Sequence, residues 1–269
     1  MAQIVVNETR HAYEVSGTGP HVTLLHTVGL STRQGWRNQV PVFAQYFAVL
    51  TYDIRGLGKS ERGGKELGVR SFAEDLHALL SSLGIGKTVL IGASLGGSIA
   101  QAFAAAHPEA VRGLVLVSTT CKMSLEGATR LRERNQRIRS AGMKVAVDAQ
   151  IRAQFSEGFI RDRPETIDWY RSHYLANDPA AYMEIMEDQA TLDLSEQIRH
   201  IRCPTLIVTG ADDLSPVRGR EPGESARLLH DSIPGSQLLV IPGARHYPHI
   251  DHPDLFNEAV LSFLNSIPI

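Results

Sequence analysis

The sequence predicts an α/β protein in which a mostly parallel central sheet is flanked by helices and interrupted by an inserted helical segment. Runs of branched apolar residues, typical of strands buried on both faces, alternate with helical patterns along most of the chain. One such run, at residues 88–91, passes through a turn containing Gly92, Ser94 and Gly96 into a helix-forming segment. The alternation stops after Ser118 and resumes near Thr205, with only helical patterns between them.

The same patterns locate the individual elements. Short apolar runs predict strands at residues 4–6, 11–15, 22–26, 47–52, 88–91, 113–118, 205–210 and 237–241, the first two pairing antiparallel. Helical patterns outside the inserted segment occur at residues 36–44, 71–83, 101–106 and 254–264. Ser71 is a candidate N-cap for the second of these helices, with Glu74 completing a capping box.

We interpret residues 123–198, the cap segment, as a helical cap inserted after the sixth strand of one core domain (residues 1–122 and 199–269). The beginning of the cap segment is rich in basic residues, which face only Glu133: Arg130, Arg132, Arg134, Arg137, Arg139 and Lys144. One interpretation is a solvated helix face. The other is a basic rim at a pocket mouth, which would attract a substrate that carries a carboxylate.

Composition excludes several classes of function. The chain has 269 residues and a formal net charge of −2, without the basic surplus of a protein that binds nucleic acid or an anionic membrane. Cys121 and Cys203 are too few and too far apart for a disulfide framework or a zinc site. The first residues lack a signal-peptide pattern, and no apolar run approaches the roughly 20 residues that span a bilayer. We therefore expect a cytoplasmic protein that acts on a small molecule.

The turn at Ser94 has the pattern of a nucleophile elbow, in which a serine is exposed between a strand and a helix. Gly92 and Gly96 lie two residues before and after Ser94, where side chains would collide as the chain reverses. Their absence of a Cβ would let Ser94 adopt a strained conformation with its hydroxyl projecting from the sheet. An incidental serine in a glycine-rich turn has the same local pattern, so other residues must decide between the two.

Two later strand ends supply the groups that a serine nucleophile needs. Asp212 and Asp213 follow the strand at 205–210, as an orienting acid or as ordinary turn residues, and His246 follows the strand at 237–241. The order serine, aspartate, histidine is the one expected for a nucleophile elbow. The backbone N–H of Leu95, at the start of the helix, is a candidate oxyanion donor, and the loop at 27–29 is placed for a second donor.

These motifs resemble those of the α/β-hydrolase superfamily over nearly the whole chain. The matching segments are Leu24-Leu25-His26, residues 53–60, Gly92-Ala93-Ser94-Leu95-Gly96-Gly97, Gly210-Ala211-Asp212-Asp213 and residues 241–246. The resemblance implies the α/β-hydrolase fold and selects Asp213 as the triad acid, because the family acid stands third after the glycine. It maps the second oxyanion donor to Val28, although Thr27 replaces the glycine that usually follows the histidine. It also implies that residues 53–60 shape a turn. Acyl transfer by a serine, a histidine and an aspartate is expected to need neither a metal nor a cofactor.

Within the superfamily, the cap segment is similar to that of 3-oxoadipate enol-lactonases and related esterases, through residues 134–143 and 192–195. Ser94 excludes haloalkane dehalogenases and epoxide hydrolases, which attack through an aspartate. The C–C hydrolases of ring-fission products usually carry tryptophan where this chain has Tyr247. Cofactor-free haloperoxidases or perhydrolases, N-acyl homoserine lactonases and a non-catalytic receptor on the same fold remain alternatives.

Overall fold

The computed structural model describes residues 1–213 and 223–268, in which eight strands form a single sheet. The strands are β1 (Ala2–Val6), β2 (Thr9–Ser16), β3 (His21–Leu25), β4 (Ala48–Tyr52), β5 (Thr88–Ala93), β6 (Val111–Val117), β7 (Thr205–Gly210) and β8 (Gln237–Ile241). They lie in the order β1-β2-β4-β3-β5-β6-β7-β8. Strand β2 is antiparallel to both of its neighbours, and all other pairs are parallel. The predicted mostly parallel sheet is confirmed.

Helices connect and cover the strands. Outside the cap segment they are α1 (Thr32–Gly35), α2 (Val40–Phe43), α3 (Val69–Ser82), α4 (Leu95–Ala106), α11 (Glu224–Ser232), α12 (Pro248–Asp251) and α13 (Pro253–Ser266). Between β6 and β7 the chain forms α5 (Leu125–Ala141), α6 (Lys144–Gln154), α7 (Glu157–Asp162), α8 (Pro164–Leu175), α9 (Pro179–Ala190) and α10 (Ser195–Ile198). None of the helices described is both long enough and apolar enough to cross a membrane.

The two faces of the sheet belong to separate hydrophobic cores, because successive residues of a strand point to opposite faces. In β6, Leu114 and Leu116 belong to the core shared with α3, α4 and the cap segment, whereas Val115 and Val117 pack in the core that contains α13. Burial on both faces explains why the central strands are apolar at almost every position. Because β3 and the strands β5 to β8 run parallel, the carboxyl ends that carry the candidate site lie along the same edge of the sheet.

The helix predicted over residues 36–44 is wrong in its extent. Within that range only α2 is helical, and residues 36–39 form a turn between α1, which ends at Gly35, and α2. Pro41 lies in the first turn of α2, where its missing N–H removes no helical hydrogen bond. Further inside a continuous helix the same proline would have interrupted the backbone ladder.

The N-cap predicted at Ser71 is also wrong. Helix α3 begins two residues earlier, at Val69, and the Ser71 hydroxyl donates instead to the Glu66 carbonyl. The N–H of Val69 donates to the carboxylate of Asp188, 2.9 Å away on α9. A carboxylate more than a hundred residues later therefore satisfies the start of α3, a contact that sequence spacing does not reveal.

Candidate active site

Ser94 occupies the sharp turn between β5 and α4 with a backbone φ of 55° and ψ of −114°. A positive φ is rare for residues with a side chain and indicates a strained position. A Cβ added to Gly92 would lie 2.3 Å from the Gly96 carbonyl oxygen, and one added to Gly96 would lie 2.2 Å from that of Leu25. Both glycines are therefore required sterically, as the elbow pattern predicts.

The end of β6 and the residues just after it hold this turn in place by hydrogen bonds. The Ser94 N–H donates to the Val117 carbonyl at 2.9 Å, and the Thr119 hydroxyl donates to the Ser94 carbonyl at 2.8 Å. Sequence reasoning did not identify Thr119. The available signal was its place just beyond the carboxyl end of β6, next to the strand that leads to Ser94.

Asp213 and His246 form a hydrogen-bonded pair beyond the ends of β7 and β8. His246 Nδ1 donates to the carboxylate of Asp213, with distances of 3.0 Å to Oδ2 and 3.2 Å to Oδ1. The imidazole is almost completely buried, whereas the neighbouring Asp212 is exposed. Of the two candidate acids, the structure brings Asp213 to the histidine. An Nδ1–H bound to a carboxylate leaves Nε2 available to accept a proton.

One cavity of about 320 Å³ joins most of the predicted site residues. Ser94, Leu95, Val28 and His246 line it together, under residues contributed by the cap segment. Asp213 is connected to this cavity by its hydrogen bond to His246. The volume is at the small end of the range for ligand pockets.

A buried histidine holds the loop that carries Val28. His26 Nδ1 donates to the Thr27 carbonyl at 2.6 Å, and His26 Nε2 accepts the Ile54 N–H at 2.9 Å. Burial lowers the pKa of His26, so the ring stays neutral and can donate and accept in this way. His26 therefore ties the loop after β3 to the loop after β4, which gives the Val28 backbone a fixed position.

The end of α6 is bound directly to the His246 loop. The backbone N–H of His246 donates to the Gln154 carbonyl at 3.1 Å. The Arg245 guanidinium donates to the carbonyls of Arg152 at 2.5 Å and Phe155 at 3.3 Å. A cation at a helix C-terminus satisfies carbonyls that have no partner within the helix. The position of His246 therefore depends on the cap segment as well as on β8, which the sequence did not indicate.

The nearby His249 is unsuited to act as the base. Burial, with a further contribution from His246, lowers the pKa of His249 to about 3. Its ring packs on Trp36 with a centroid separation of 4.5 Å and does not line the cavity.

Asp251 gives the region a pH-dependent stability. Its carboxylate accepts the Arg245 N–H at 3.2 Å, and burial raises its pKa to about 7 despite this contact. An unfolded aspartate titrates near about 3.9, so between these values the folded state binds more protons and stability falls as pH rises.

We expect Asp251→Asn to increase the free energy of unfolding at about pH 8 by on the order of 1 kcal/mol, with little effect at about pH 4. Urea denaturation of both proteins at both pH values measures this. If Asp251→Asn increased the free energy of unfolding more at about pH 4 than at about pH 8, the raised pKa of Asp251 would be contradicted.

Glu74, His77 and His107 are close enough together to be candidate metal ligands. They lie on α3 and just after the end of α4, and none of them lines the cavity. The imidazole rings of His77 and His107 are stacked, 4.0 Å apart and 5° from parallel. Ligand lone pairs lie in the ring plane, so rings stacked in this way do not both point at one ion. His107 Nε2 instead lies 3.0 Å from a Glu74 carboxylate oxygen, and we assign no metal site here.

Comparison with known proteins agrees with this fold. Residues 20–253 match the family model described as the alpha/beta hydrolase fold. The chain is 30% identical to 3-oxoadipate enol-lactonase 2 of Acinetobacter baylyi over 92% of this chain and 90% of that protein. It is 29% identical to the 2-hydroxy-6-oxo-6-(2'-aminophenyl)hexa-2,4-dienoic acid hydrolase of Metapseudomonas resinovorans, over 96% of this chain and 88% of that protein.

A similar solved structure is a thermophilic esterase from Thermogutta terrifontis with malate bound. It has a TM-score of 0.89 and 28% sequence identity, and the match covers 98% of each chain. The resemblance expected from the Ser94, Asp213 and His246 motifs is thus confirmed at the level of the family. The chain belongs to the α/β-hydrolase family.

Proposed function

We propose that this α/β hydrolase cleaves an ester or lactone through a covalent acyl-enzyme on Ser94. The observation that carries the proposal is the arrangement of three side chains. Ser94, on a strained turn, lines the same cavity as His246, and the Nδ1 of that histidine is bound to Asp213. A nucleophile, a base and a group that orients the base are the parts that serine-based acyl transfer requires.

In the first step the Ser94 oxygen attacks the substrate carbonyl while His246 Nε2 takes the hydroxyl proton. Asp213 holds the Nδ1–H tautomer of His246 and stabilises the imidazolium that forms. The resulting oxyanion accepts hydrogen bonds from the backbone N–H groups of Leu95 and Val28. Leu95 begins α4, where backbone N–H groups lack helical partners, and each donor is worth about 3 kcal/mol if typical.

The tetrahedral intermediate then collapses, and His246 returns its proton to the leaving alkoxide or enolate oxygen. In a lactone this oxygen stays tethered to the acyl group, so ring opening and acylation are the same step. His246 next removes a proton from water, which attacks the acyl carbonyl and releases a carboxylic acid and free Ser94. This sequence needs no group beyond substrate, water and these residues.

We further propose that the cap segment selects a small substrate that bears a carboxylate. Of the cap arginines, Arg130, Arg134 and Arg137 line the cavity, together with Glu133. Arg130 is paired with Glu126 at 2.5 Å, and the exposed Arg137 donates to the Val145 carbonyl. Similarity to an enol-lactonase and to an esterase with malate bound is consistent with an acidic substrate.

Arg134 is the cap arginine best suited to bind that carboxylate. It is only partly exposed, and its Nη2 contacts the soft acceptor Met186 Sδ at 2.9 Å. Its guanidinium carbon lies 5.6 Å from the ring centre of Tyr182. Its Nε is buried without a hydrogen bond, and no carboxylate forms an ion pair with it among the described residues. A guanidinium placed this way retains its capacity for a bidentate anion contact.

Replacing Arg134 with glutamine is expected to reduce the preference for a charged substrate. We compare a γ-lactone that carries a carboxylate side chain with the matching carboxamide. The ratio of their kcat/KM values should fall about 10- to 100-fold in Arg134→Gln, mainly through KM, because a charge-assisted hydrogen bond is lost.

Arg139→Gln is the matched control, because Arg139 is exposed on the same helix and does not line the cavity. In this control, the ratio of kcat/KM for the carboxylate lactone to kcat/KM for the carboxamide should equal that of the unaltered protein. If Arg134→Gln lowers kcat/KM equally for the carboxylate lactone and for its carboxamide, Arg134 does not recognise the carboxylate.

The proposed reaction is tested by a hydrolysis panel of lactones, short-chain activated esters and ring-fission dienones, with Ser94→Ala beside the unaltered protein. We expect turnover of lactones or esters that depends on Ser94. Turnover of the dienones alone would identify a C–C hydrolase instead, and binding without turnover in every class would identify a receptor.

A further inference from the structure

Two amide side chains of the cap segment belong to residues of the cavity wall and carry buried polar atoms that have no hydrogen-bond partner among the residues that the structure describes. Gln154, at the end of α6, and Gln189, near the end of α9, are only 8% and 3% exposed. Gln154 Oε1 and Gln189 Nε2 are both buried without a hydrogen bond among the residues that the structure describes. Buried polar groups are nearly always hydrogen-bonded, so each exception requires an explanation.

Gln189 is the clearer exception. Neither of its two amide atoms hydrogen-bonds to any described residue, so exchanging the amide nitrogen and oxygen does not remove the problem. It lies three residues after Met186, the residue that contacts Arg134, and both Met186 and Gln189 line the cavity. The amide is thus part of the same wall as the proposed carboxylate site.

Gln154 is half satisfied. Its Nε2 donates to Gln150 Oε1 at 3.0 Å, whereas its Oε1 has no hydrogen bond among the described residues. Its backbone carbonyl receives the N–H of His246, so the residue is anchored directly beside the proposed base. This anchor places the Gln154 backbone beside the residue that we propose as the base.

The surroundings do not explain why these positions carry amides. Neighbouring positions in the cavity wall on α6 and α9 include Ala149, Ala153 and Met186 as well as Gln150, the partner of Gln154, and an apolar side chain at 189 would avoid the cost of an unmet hydrogen bond. The wall also carries charged residues, and a few polar groups set among apolar side chains are the usual means of orienting a ligand. A substrate that supplies the missing partners accounts for both residues.

We propose that Gln154 and Gln189 provide a neutral polar subsite that binds an uncharged oxygen of the substrate, a hydroxyl or a keto group, apart from the scissile carbonyl. The inference rests on the proposed function, since it concerns the substrate of the same cavity. The substrate would then be an ester or lactone whose acyl group carries a hydroxyl or a keto group.

The two forms of the oxygen differ in what they can pair with. A keto oxygen only accepts, so it binds the amide N–H of Gln189. A hydroxyl accepts from Gln189 and also donates to Gln154 Oε1. Substitution of Gln154 therefore distinguishes the two forms, whereas substitution of Gln189 affects both.

The test uses the full chain and the 4-nitrophenyl esters of pentanoic, 3-hydroxypentanoic and 4-oxopentanoic acid, none of which carries a carboxylate. For each protein, kcat/KM of an oxygenated ester is divided by that of the pentanoate ester. Comparing this ratio between proteins cancels the differences in intrinsic reactivity among the esters. The variants are Gln189→Met, Gln189→Leu and Gln154→Met, with the exposed Gln136→Met of α5 as the control.

We expect the unaltered protein to prefer at least one oxygenated ester, and either Gln189 variant to reduce that preference about 10- to 100-fold. Gln136→Met should retain the preference. If the oxygen is a hydroxyl, Gln154→Met reduces the preference as well; if it is a keto group, only the Gln189 variants do. A melting temperature at or above that of the unaltered protein verifies that each variant is folded.

The proposal is overturned if, in the unaltered protein, the ratio for each oxygenated ester is no higher than the ratio of the non-enzymatic hydrolysis rates of the same two esters, a result that requires no variant. It is also overturned if folded Gln189 variants keep the preference. In both cases, hydrolysis of the pentanoate ester that depends on Ser94 would leave the proposed function intact. Failure to hydrolyse all three esters would instead count against the proposed function itself.

Discussion

Replacement of Ser94 by alanine should lower kcat for an activated ester by roughly 10⁴- to 10⁶-fold, the range typical of the loss of a serine nucleophile. The variant removes one oxygen and keeps the Cβ, and the backbone at φ 55° is held by Gly92, Gly96 and the hydrogen bond from Thr119. The oxyanion donors and the base would remain in place. The residual rate should therefore stay above that of the uncatalysed reaction.

Steady-state hydrolysis of 4-nitrophenyl acetate, followed at the released nitrophenolate, measures the loss. The control is Ser98→Ala on α4, a buried serine whose hydroxyl lies behind the turn near Thr119 and does not line the cavity. Ser98→Ala should retain most of the activity. A folded Ser94→Ala protein with more than about a tenth of the normal rate would show that the nucleophile has been assigned wrongly.

The second large effect is expected at Asp213. Asparagine keeps the shape of the side chain but can no longer accept from His246 Nδ1 with both oxygens, and it favours the wrong tautomer of the ring. The comparable change in serine proteases lowers kcat by about 10⁴-fold. We expect Asp213→Asn to reduce kcat by about 10³- to 10⁴-fold, with KM altered much less.

Asp212→Asn is the matched control, since Asp212 is the adjacent acid and is exposed. Its kcat should remain within a few-fold of normal. The reverse pattern, an inactive Asp212→Asn and a normal Asp213→Asn, would mean that His246 is oriented by the other acid during turnover.

Much of the fold was predictable because its determinants are local. Strands buried on both faces carry nearly continuous apolar runs, and each run is bounded by turn residues, so all eight strands could be located. The turn at Asp53 was also interpreted correctly, since one of its carboxylate oxygens accepts the Lys59 N–H at 2.8 Å. The order of Ser94, Asp213 and His246 identified residues that strand topology then brings to one edge of the sheet.

The features that were missed depend on contacts between distant parts of the chain. Asp188 caps α3 from the cap segment, and no local pattern relates it to Val69. Arg245 binds the end of α6, although its sequence neighbours say nothing about that helix. Gln189 could be recognised only from the structure, in which its amide has no partner among the described residues. In sequence, a glutamine on a helix has the same local pattern whether it faces solvent or a cavity.

The central claim is that the reaction passes through an acyl-enzyme on Ser94. Mass spectrometry with peptide mapping tests it most directly. The protein is mixed with excess 4-nitrophenyl pentanoate, quenched in acid within the first turnovers and digested for peptide mapping. The account predicts one added acyl group on the peptide that contains Ser94, and none in Ser94→Ala. A pre-steady-state burst of nitrophenolate without an adduct at Ser94, or an adduct on another residue, would contradict it.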